Sequence, residues 1–318
     1  MKDKLCSILV PVYNRELYIR DTLRSAMEQT YENIEIIVVD NNSTDNTWNI
    51  LKEMASTDKR IKIYRNEENI GPVKNWKRCI DLASGEYGKI LWSDDLISPD
   101  FLEKTIPFLQ DKEVGFVFTT TEIFGDDTEK GMITYNIGDT GVYEIERYIH
   151  GILIDGNFPV SPGCALFRLE DLKKSLIVDV PNKVNSDFAM HAIGNDLLIF
   201  LLTAIRYKYF AFINEKLSFF RAHKESISIS SRASKIALHY LLAKSYFVEN
   251  FRKDLIKKNN TMIYLNSLRF REDARRYNLD RIENYYLFNK DYRIDYLFLT
   301  QKVLRWFVNK MKIKLLRF

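Results

Sequence analysis

Two adjacent carboxylates, Asp94 and Asp95, follow a short apolar run from Lys89 to Trp92. Gly85 and Gly88 punctuate the approach to that run, and Pro99 suits the first turn of a helix starting at Asp100. The stretch reads as a buried strand, a loop carrying both acids, and then a helix. Adjacent Asp side chains at the carboxyl end of a strand suit a hard divalent cation, which takes oxygen ligands and is held by one or two carboxylates plus substrate phosphates. The competing reading is a solvated turn in which one Asp caps the helix, since Asp is common in both settings. The elements around the pair must decide.

Cys6 to Val10 reads as a buried strand, Pro11-Val12-Tyr13-Asn14 breaks it, and Leu17 to Met27 repeats apolar residues at helical spacing. Ile34 to Val39 is a second apolar strand ending at Asp40, followed by the polar run Asn41-Asn42-Ser43-Thr44-Asp45-Asn46 and a helix through about Ala55. Ile61 to Tyr64 gives a third strand, Asn69-Ile70-Gly71 a turn, Pro72 to Leu82 a third helix, and the run at Lys89 a fourth strand. Strands alternating with helices of this length predict an α/β fold with a parallel sheet covered on both faces, and such sheets bind ligands outside the carboxyl ends of their strands. Asp40 and the Asp94/Asp95 pair both fall at those ends.

The chain has 318 residues, 46% hydrophobic and 13% aromatic, enough for a substantial core in one large domain or two smaller ones. Its three cysteines, Cys6, Cys79 and Cys164, are far apart and in no metal-ligand spacing, so they are expected to be reduced core thiols of a cytosolic protein. The apolar stretch Leu197 to Ile205 is far short of the ~20 residues that span a bilayer, and Met1 to Lys4 runs straight into a strand rather than a signal peptide. The expectation is a cytoplasmic protein, soluble or held at the inner face of the cell membrane. Charge is distributed unevenly: the net +4 combines −8 over residues 1–231 with +12 over 232–318. A basic tail of this kind calls for an anionic partner, membrane or nucleic acid.

Four ordered motifs carry a family resemblance: Pro11-Val12-Tyr13-Asn14 after strand one, Asp40-Asn41-Asn42-Ser43-Thr44-Asp45 after strand two, Asn69-Ile70-Gly71 after strand three, and Ser93-Asp94-Asp95 with Pro99-Asp100 after strand four. Together they resemble the nucleotide-binding half of the family 2 inverting glycosyltransferases. Later pieces match as well: Ser161-Pro162-Gly163-Cys164 before a strand, Gly194-Asn195-Asp196-Leu197, and Phe219-Phe220-Arg221-Ala222-His223 with Ser226. The resemblance covers roughly residues 5–228. It implies a Rossmann-like glycosyltransferase type A fold with a mainly parallel sheet. The organisation expected is a catalytic domain over 1–230, with a nucleotide-binding half at 1–100 and an acceptor half at 101–230, and a basic helical extension over 231–318.

The resemblance also implies roles. Transfer from a nucleotide sugar needs a grip on the nucleotide, neutralisation of the departing diphosphate and a base for the incoming hydroxyl. Asp40 is expected to accept a hydrogen bond from the ring N–H of a uracil or thymine and Tyr13 to stack on the base. Pro11 and Asn14 are expected to shape the same loop, Gly71 belongs with the nucleotide-binding residues, and Lys74 and Arg78, about a turn apart on the third helix, face the phosphates or are simply solvated. Asp94 and Asp95 take the place of the acidic motif that binds Mn²⁺ or Mg²⁺ and the ribose, with their individual roles open. Many members carry a third Asp two residues before the pair, where this chain has Trp92. His223 falls where relatives complete the metal sphere or contact the diphosphate. Asp196, at the start of an apolar helix, is the expected catalytic base, with Asp187 the fallback; a helix-end Asp stabilised by the dipole is the structural alternative.

Two rival classes are weighed against this reading. A nucleotidyltransferase would show a Gly- and Lys/Arg-rich first loop, which Pro11-Val12-Tyr13-Asn14-Arg15-Glu16 lacks. A non-catalytic sugar-nucleotide or membrane-binding module would have no use for Asp94, Asp95 and Asp196 together. The expected partners are a nucleotide-sugar donor, a glycan or lipid-linked glycan acceptor and no nucleic acid. Residues 302–318, whose six basic and no acidic residues accompany Leu304, Phe307, Val308, Met311, Leu315 and Phe318 at helical spacing with Trp306 beside them, read as a helix for an anionic membrane surface, the alternative being a face packed on the catalytic domain or a second subunit with its cations solvated.

Overall fold

The structure, a computed structural model, describes residues 4–125, 131–156, 158–223 and 231–315. These fall into two compact units, one within 1–180 and 187–231, the other within 181–186 and 232–318. Ser226 and residues 316–318 lie outside the described residues, as do the side chains of Trp306 and of 309–315.

In the first unit β1 (Cys6–Val12) and β2 (Ile34–Asp40) are buried along their whole length. α1 (Ile19–Met27), α2 (Thr47–Thr57) and α3 (Pro72–Leu82) alternate with them and with β3 (Ile61–Arg65) and β4 (Tyr87–Ile90). Strands buried on both faces read as continuous apolar runs, which is why the sequence shows them so clearly. β1 pairs in parallel with β2 and with β4, and β2 with β3, placing Val12 opposite Asp40 and Leu9 opposite Ile90. The order β3-β2-β1-β4 reverses direction at β1, so the loops after β1 and β4 flank the crevice where such sheets take ligands.

Beyond β4 the sheet becomes mixed. β5 (Leu96–Ile97) follows the acidic pair directly, and after α4 (Phe101–Leu109) come β6 (Val114–Gly125), β7 (Met132–Thr134), β8 (Gly141–Glu144) and α5 (Ile145–His150). β9 (Ala165–Arg168), α6 (Leu169–Ser175), α7 (Phe188–His191), α8 (Asn195–Ala204) and β10 (Tyr209–Ala222) complete the unit among the described residues. β9 runs antiparallel between β4 and β6, while β10 runs parallel to β6 along a ladder with several register shifts. Those shifts bend β10. Its far end lies antiparallel to β5, with Phe219 opposite Leu96, and this pairing carries Arg221 and His223 to the turn that holds Asp94 and Asp95.

Some boundaries differ from the sequence reading. β4 ends at Ile90 rather than Trp92, although Leu91 N still donates to Leu9 O at 2.9 Å. Pro99 precedes α4 instead of starting it, because Asp100 is the residue that flanks the first turn. Leu17 is 75% exposed and lies before α1. Cys6, Cys79 and Cys164 are buried free thiols, as expected.

The second unit contains α9 (Ala233–Phe251), α10 (Ile256–Arg269), α11 (Arg271–Arg276) and α12 (Tyr296–Leu315). Leu238, Leu241, Leu242 and Ser245, spaced helically along α9, are all buried, and an aromatic-rich stretch with Tyr285, Tyr286, Phe288 and Tyr292 follows further along the chain. The aromatic stretch behind them is not a regular helix. Tyr285 and Tyr286 are buried, and Glu249 accepts backbone N–H bonds from Leu287, Phe288 and Asn289, satisfying amides that no helix pairs. Among the described residues no helix is long and apolar enough to cross a membrane.

Candidate active site

The crevice between β1 and β4 is built by loops pinned to one another through side chains. Asn14, at φ +50°, receives Thr44 N on Oδ1 at 2.9 Å and donates its own N–H to Ser43 Oγ at 2.9 Å, tying the loop after β1 to the loop after β2. Asn tolerates that left-handed conformation better than most residues. Pro11 sits inside β1 opposite Val39, and Tyr13 just beyond is 39% exposed, with its ring available for stacking. Asp40 is fully buried at the end of β2; Ser43 donates to it from both N and Oγ, and Arg65 Nε lies 3.1 Å from Oδ2. Burial pushes the Asp40 carboxyl up from its ordinary value, and the Ser43 bonds and the Arg65 charge oppose that.

A chain of amides missed by sequence reasoning fixes the remaining loops. Asn66 Nδ2 donates to Asn41 Oδ1 at 2.7 Å and to Asn75 Oδ1 at 2.9 Å, Asn75 donates to Val39 O at 3.0 Å, and Asn41 Nδ2 reaches Asn69 Oδ1 at 2.8 Å. Arg78 donates to Asn66 Oδ1 and so joins this chain. Gly71 caps the start of α3 at φ +85°, a conformation that favours glycine, and packs against the Met190 side chain. Lys74 is exposed on α3.

The acidic pair divides into two environments. Asp95 is buried, its Oδ1 accepting Arg221 N at 2.9 Å, whereas the Asp94 side chain is 15% exposed. His223 Nε2 lies 2.7 Å and Arg15 Nε 3.4 Å from Asp94 Oδ2. Burial, and then the charge of Asp94, push the Asp95 carboxyl well above the usual carboxylate range, with the Arg221 N–H and the charges of Lys89 and Arg221 opposing. Lys89, read in the sequence as part of an apolar strand, is fully buried beneath the site. It donates to Gly163 O and lies 4.2 Å from the Phe101 ring centroid; burial lowers it to about 7 against the pull of Cys164, Asp95 and Cys6.

Trp92 replaces the third acid with a packed indole. Its Nε1 donates to Ser161 Oγ at 2.9 Å, and its ring lies 4.7 Å from that of Trp76. A Cβ on Gly163 would come within 2.8 Å of Trp92 Nε1 and 3.2 Å of Phe220, so the small-residue segment before β9 is small to admit these two rings.

Asp196 is buried in the first turn of α8, one residue inside a helix that begins at Asn195. Gly194 N and Leu197 N donate to its Oδ1 at 3.0 and 2.8 Å, fixing the carboxylate's orientation. Tyr135, at the unusual φ of +60°, bonds to the Val160 backbone; burial pushes its hydroxyl up, with Cys164, Asp196 and Asp95 adding to the effect. Asp95 and Asp196 therefore both lie within electrostatic reach of one hydroxyl. Asp187 accepts from Met190 N at 3.1 Å as the cap of α7, a structural task.

The donor set suits a Mg²⁺- or Mn²⁺-type cation in part. Asp94 and His223 offer an oxygen and a nitrogen side by side, and a cation would relieve the repulsion between the two acids. Among the described residues no three His, Cys, Asp or Glu side chains form a ligating cluster, so the remaining coordination would have to come from diphosphate and water.

With this geometry in hand, comparison with known proteins is decisive at the level of family. The model of Glycosyl transferase family 2 matches residues 7–176, just over half of the chain. The chain belongs to glycosyl transferase family 2. Its relatives within the family include WfgD of Escherichia coli, a UDP-Glc:α-D-GlcNAc-diphosphoundecaprenol β-1,3-glucosyltransferase, 34% identical over 43% of this chain and 55% of that one. Glycosyltransferase GlyG of Streptococcus pneumoniae is 34% identical over 36% of this chain and 38% of its own. The chain matches between 20% and 55% of the length of such curated relatives. Among solved structures, residues 1–349 of S. aureus TarS in complex with UDP-GlcNAc superpose with TM-score 0.61 at 18% identity, over 86% of this chain and 75% of that one. The mannosyltransferase PcManGT of Pyrobaculum calidifontis, in complex with GDP-Man and Mn²⁺, does so with TM-score 0.52 at 17% identity, over 86% and 73%. At these identities the likeness establishes the glycosyltransferase type A fold.

Proposed function

We propose that this protein is an inverting glycosyltransferase that moves a sugar from a UDP-sugar to an acceptor hydroxyl in the synthesis of a cell-surface glycan. The observation that carries the reading is the meeting of the Asp94–Asp95 turn with Arg15 and His223 at the carboxyl edge of the parallel strands. TarS with UDP-GlcNAc and WfgD with its UDP-Glc donor, one sharing the fold and the other the family, support the choice of nucleotide.

In this mechanism Tyr13 stacks on the base, while Asp40, fully buried and bonded to Ser43 and Arg65, joins Asn14 and the amide chain in holding the nucleotide loops in shape. Asp196 takes the proton of the acceptor hydroxyl as the new bond forms from that oxygen to the anomeric carbon. The bond from the anomeric carbon to the diphosphate breaks on the opposite face, and its electrons leave with UDP. A Mn²⁺ or Mg²⁺ held by Asp94 and His223, with diphosphate and water filling the remaining positions and the buried Asp95 adding negative charge beside it, would supply charge neutralisation for that diphosphate. Arg15, beside Asp94, contributes positive charge to the same place.

The test is UDP release from a panel of sugar nucleotides, with mass spectrometry of the products, in Mn²⁺ and in EDTA. Turnover of one UDP-sugar that EDTA abolishes and Mn²⁺ restores is the expected result. Full turnover in EDTA would remove the metal, and turnover of only GDP- or dTDP-sugars would move the base specificity. The basic, apolar-faced C-terminal helix supports a further element of the reading, attachment to an anionic membrane that carries a lipid-linked acceptor.

A further inference from the structure

Arg221 belongs to the last residues of β10, yet most of its contacts are with the turn after β4 and with α1. Its N–H donates to Asp95 Oδ1 at 2.9 Å, and its Nε donates to the backbone carbonyl of Asp94 at 3.1 Å. The guanidinium carbon lies 5.0 Å from the Tyr18 ring centroid and 4.8 Å from that of Phe124, and Nη2 is 3.5 Å from Asp21. The Tyr18 ring also lies 4.6 Å from the His223 ring, so the same aromatic face supports both the arginine and the imidazole. The side chain is 11% exposed.

We propose that Arg221 is a positioning residue that holds the Asp94–Asp95 turn and His223 in the arrangement that takes a divalent cation together with the donor diphosphate. The physical case rests on geometry. A turn carrying two adjacent carboxylates is pushed apart by its own charge, and a backbone carbonyl inside it needs a donor. Arg221 supplies that donor and a neighbouring positive charge while its planar group is fixed between two rings. Only a guanidinium does both: a lysine ammonium keeps the charge but lacks the Nε and the flat faces. The turn therefore depends on the end of a strand more than a hundred residues away, and the order of the metal site is set from β10 and α1 as much as from β4.

This inference rests on the metal-dependent reading above, and its test separates the two. UDP binding to the full chain is measured by calorimetry in Mn²⁺ and in EDTA for the wild type, Arg221→Lys and Arg221→Met, with the melting temperature of each. The expected result is a wild type that binds UDP at least about tenfold tighter in Mn²⁺, and two variants that lose most of that gain while their binding in EDTA and their melting temperatures stay near wild type. Electron paramagnetic resonance of bound Mn²⁺ gives a second readout, in which Arg221→Lys shows weaker binding of the metal with UDP present. Variants that keep the full Mn²⁺ gain overturn the inference and leave the metal reading standing. Variants that lose UDP binding equally in Mn²⁺ and EDTA, along with their thermal stability, make Arg221 a residue of the fold alone. A wild type with no Mn²⁺ gain overturns both readings together.

Discussion

At the scale of single residues, the acids were legible and their partners were not. Asp40, Asp94, Asp95 and Asp196 stand out because carboxylates after apolar strands or at helix starts are conspicuous. Lys89 is not conspicuous in the sequence because three apolar neighbours make its segment read as a plain strand, and only three-dimensional burial shows its amine to lie beneath the site. Asn41, Asn66 and Asn75 were invisible for a different reason: neutral amides in turns look alike in a sequence whether or not they pair. The base assignment makes its own prediction. Asp196→Asn should lower kcat by about 10² or more, because proton acceptance is needed only in the transition state. UDP affinity and melting temperature should stay near wild type, since an amide oxygen can still accept the Gly194 and Leu197 N–H bonds. A folded variant with near-normal kcat would exclude Asp196 as the base.

At the scale of elements, β1, β2 and β4 were readable because both of their faces are buried, and the edge strand β3 because Ile61 and Ile63 alternate with polar residues, whereas β5, β7 and β8 are too short to show periodicity. β10 is long but bent by register shifts, and its pairing with β5 joins segments too distant in sequence for any local pattern to reveal. Two expectations belong here. Glu35 on β2 is buried, and although burial raises its pKa, bonds from Lys62, Ser7 and Ser84 bring it down to about 2. A depressed folded value means that its stabilisation is complete above the ordinary carboxylate value near 4.5 and is lost as pH falls toward 2. Glu35→Gln should lower stability at neutral pH and flatten the acid limb of a stability–pH curve measured by urea unfolding. An unchanged limb would assign acid sensitivity elsewhere. Gly163→Ala should cost about 1 to 3 kcal/mol by forcing Trp92 and Phe220 aside. Combining it with Trp92→Phe should recover part of that loss in a thermal double-mutant cycle, and strictly additive losses would mean that the two side chains do not meet.

At the scale of the whole molecule, the sequence revealed a charge division that local structure alone would not have emphasised. On α12, Tyr296 and Leu297 are 74% and 72% exposed, and Leu304 and Phe307 are 59% and 52% exposed. These lie on a helix whose surroundings carry an excess of cations, the combination that seats a helix in an anionic lipid surface. The prediction is salt-sensitive co-sedimentation of the full chain with anionic vesicles and little with neutral ones. A chain carrying Leu304→Ser, Phe307→Ser and Arg305→Glu should lose most of that binding while keeping UDP affinity. Equal binding by both chains would reject the membrane surface.

One feature of the crevice doubles as an optical probe. Trp76 and Trp92 stand 4.7 Å apart, one on α3 and the other two residues before Asp94. Indoles this close couple their electronic transitions, so the pair should give a circular dichroism couplet that Trp92→Phe abolishes. Because Trp92 is tethered both to the acidic turn and to Ser161, any ligand that reorganises the turn would alter that couplet, and the unlabelled protein would report occupancy of its own site.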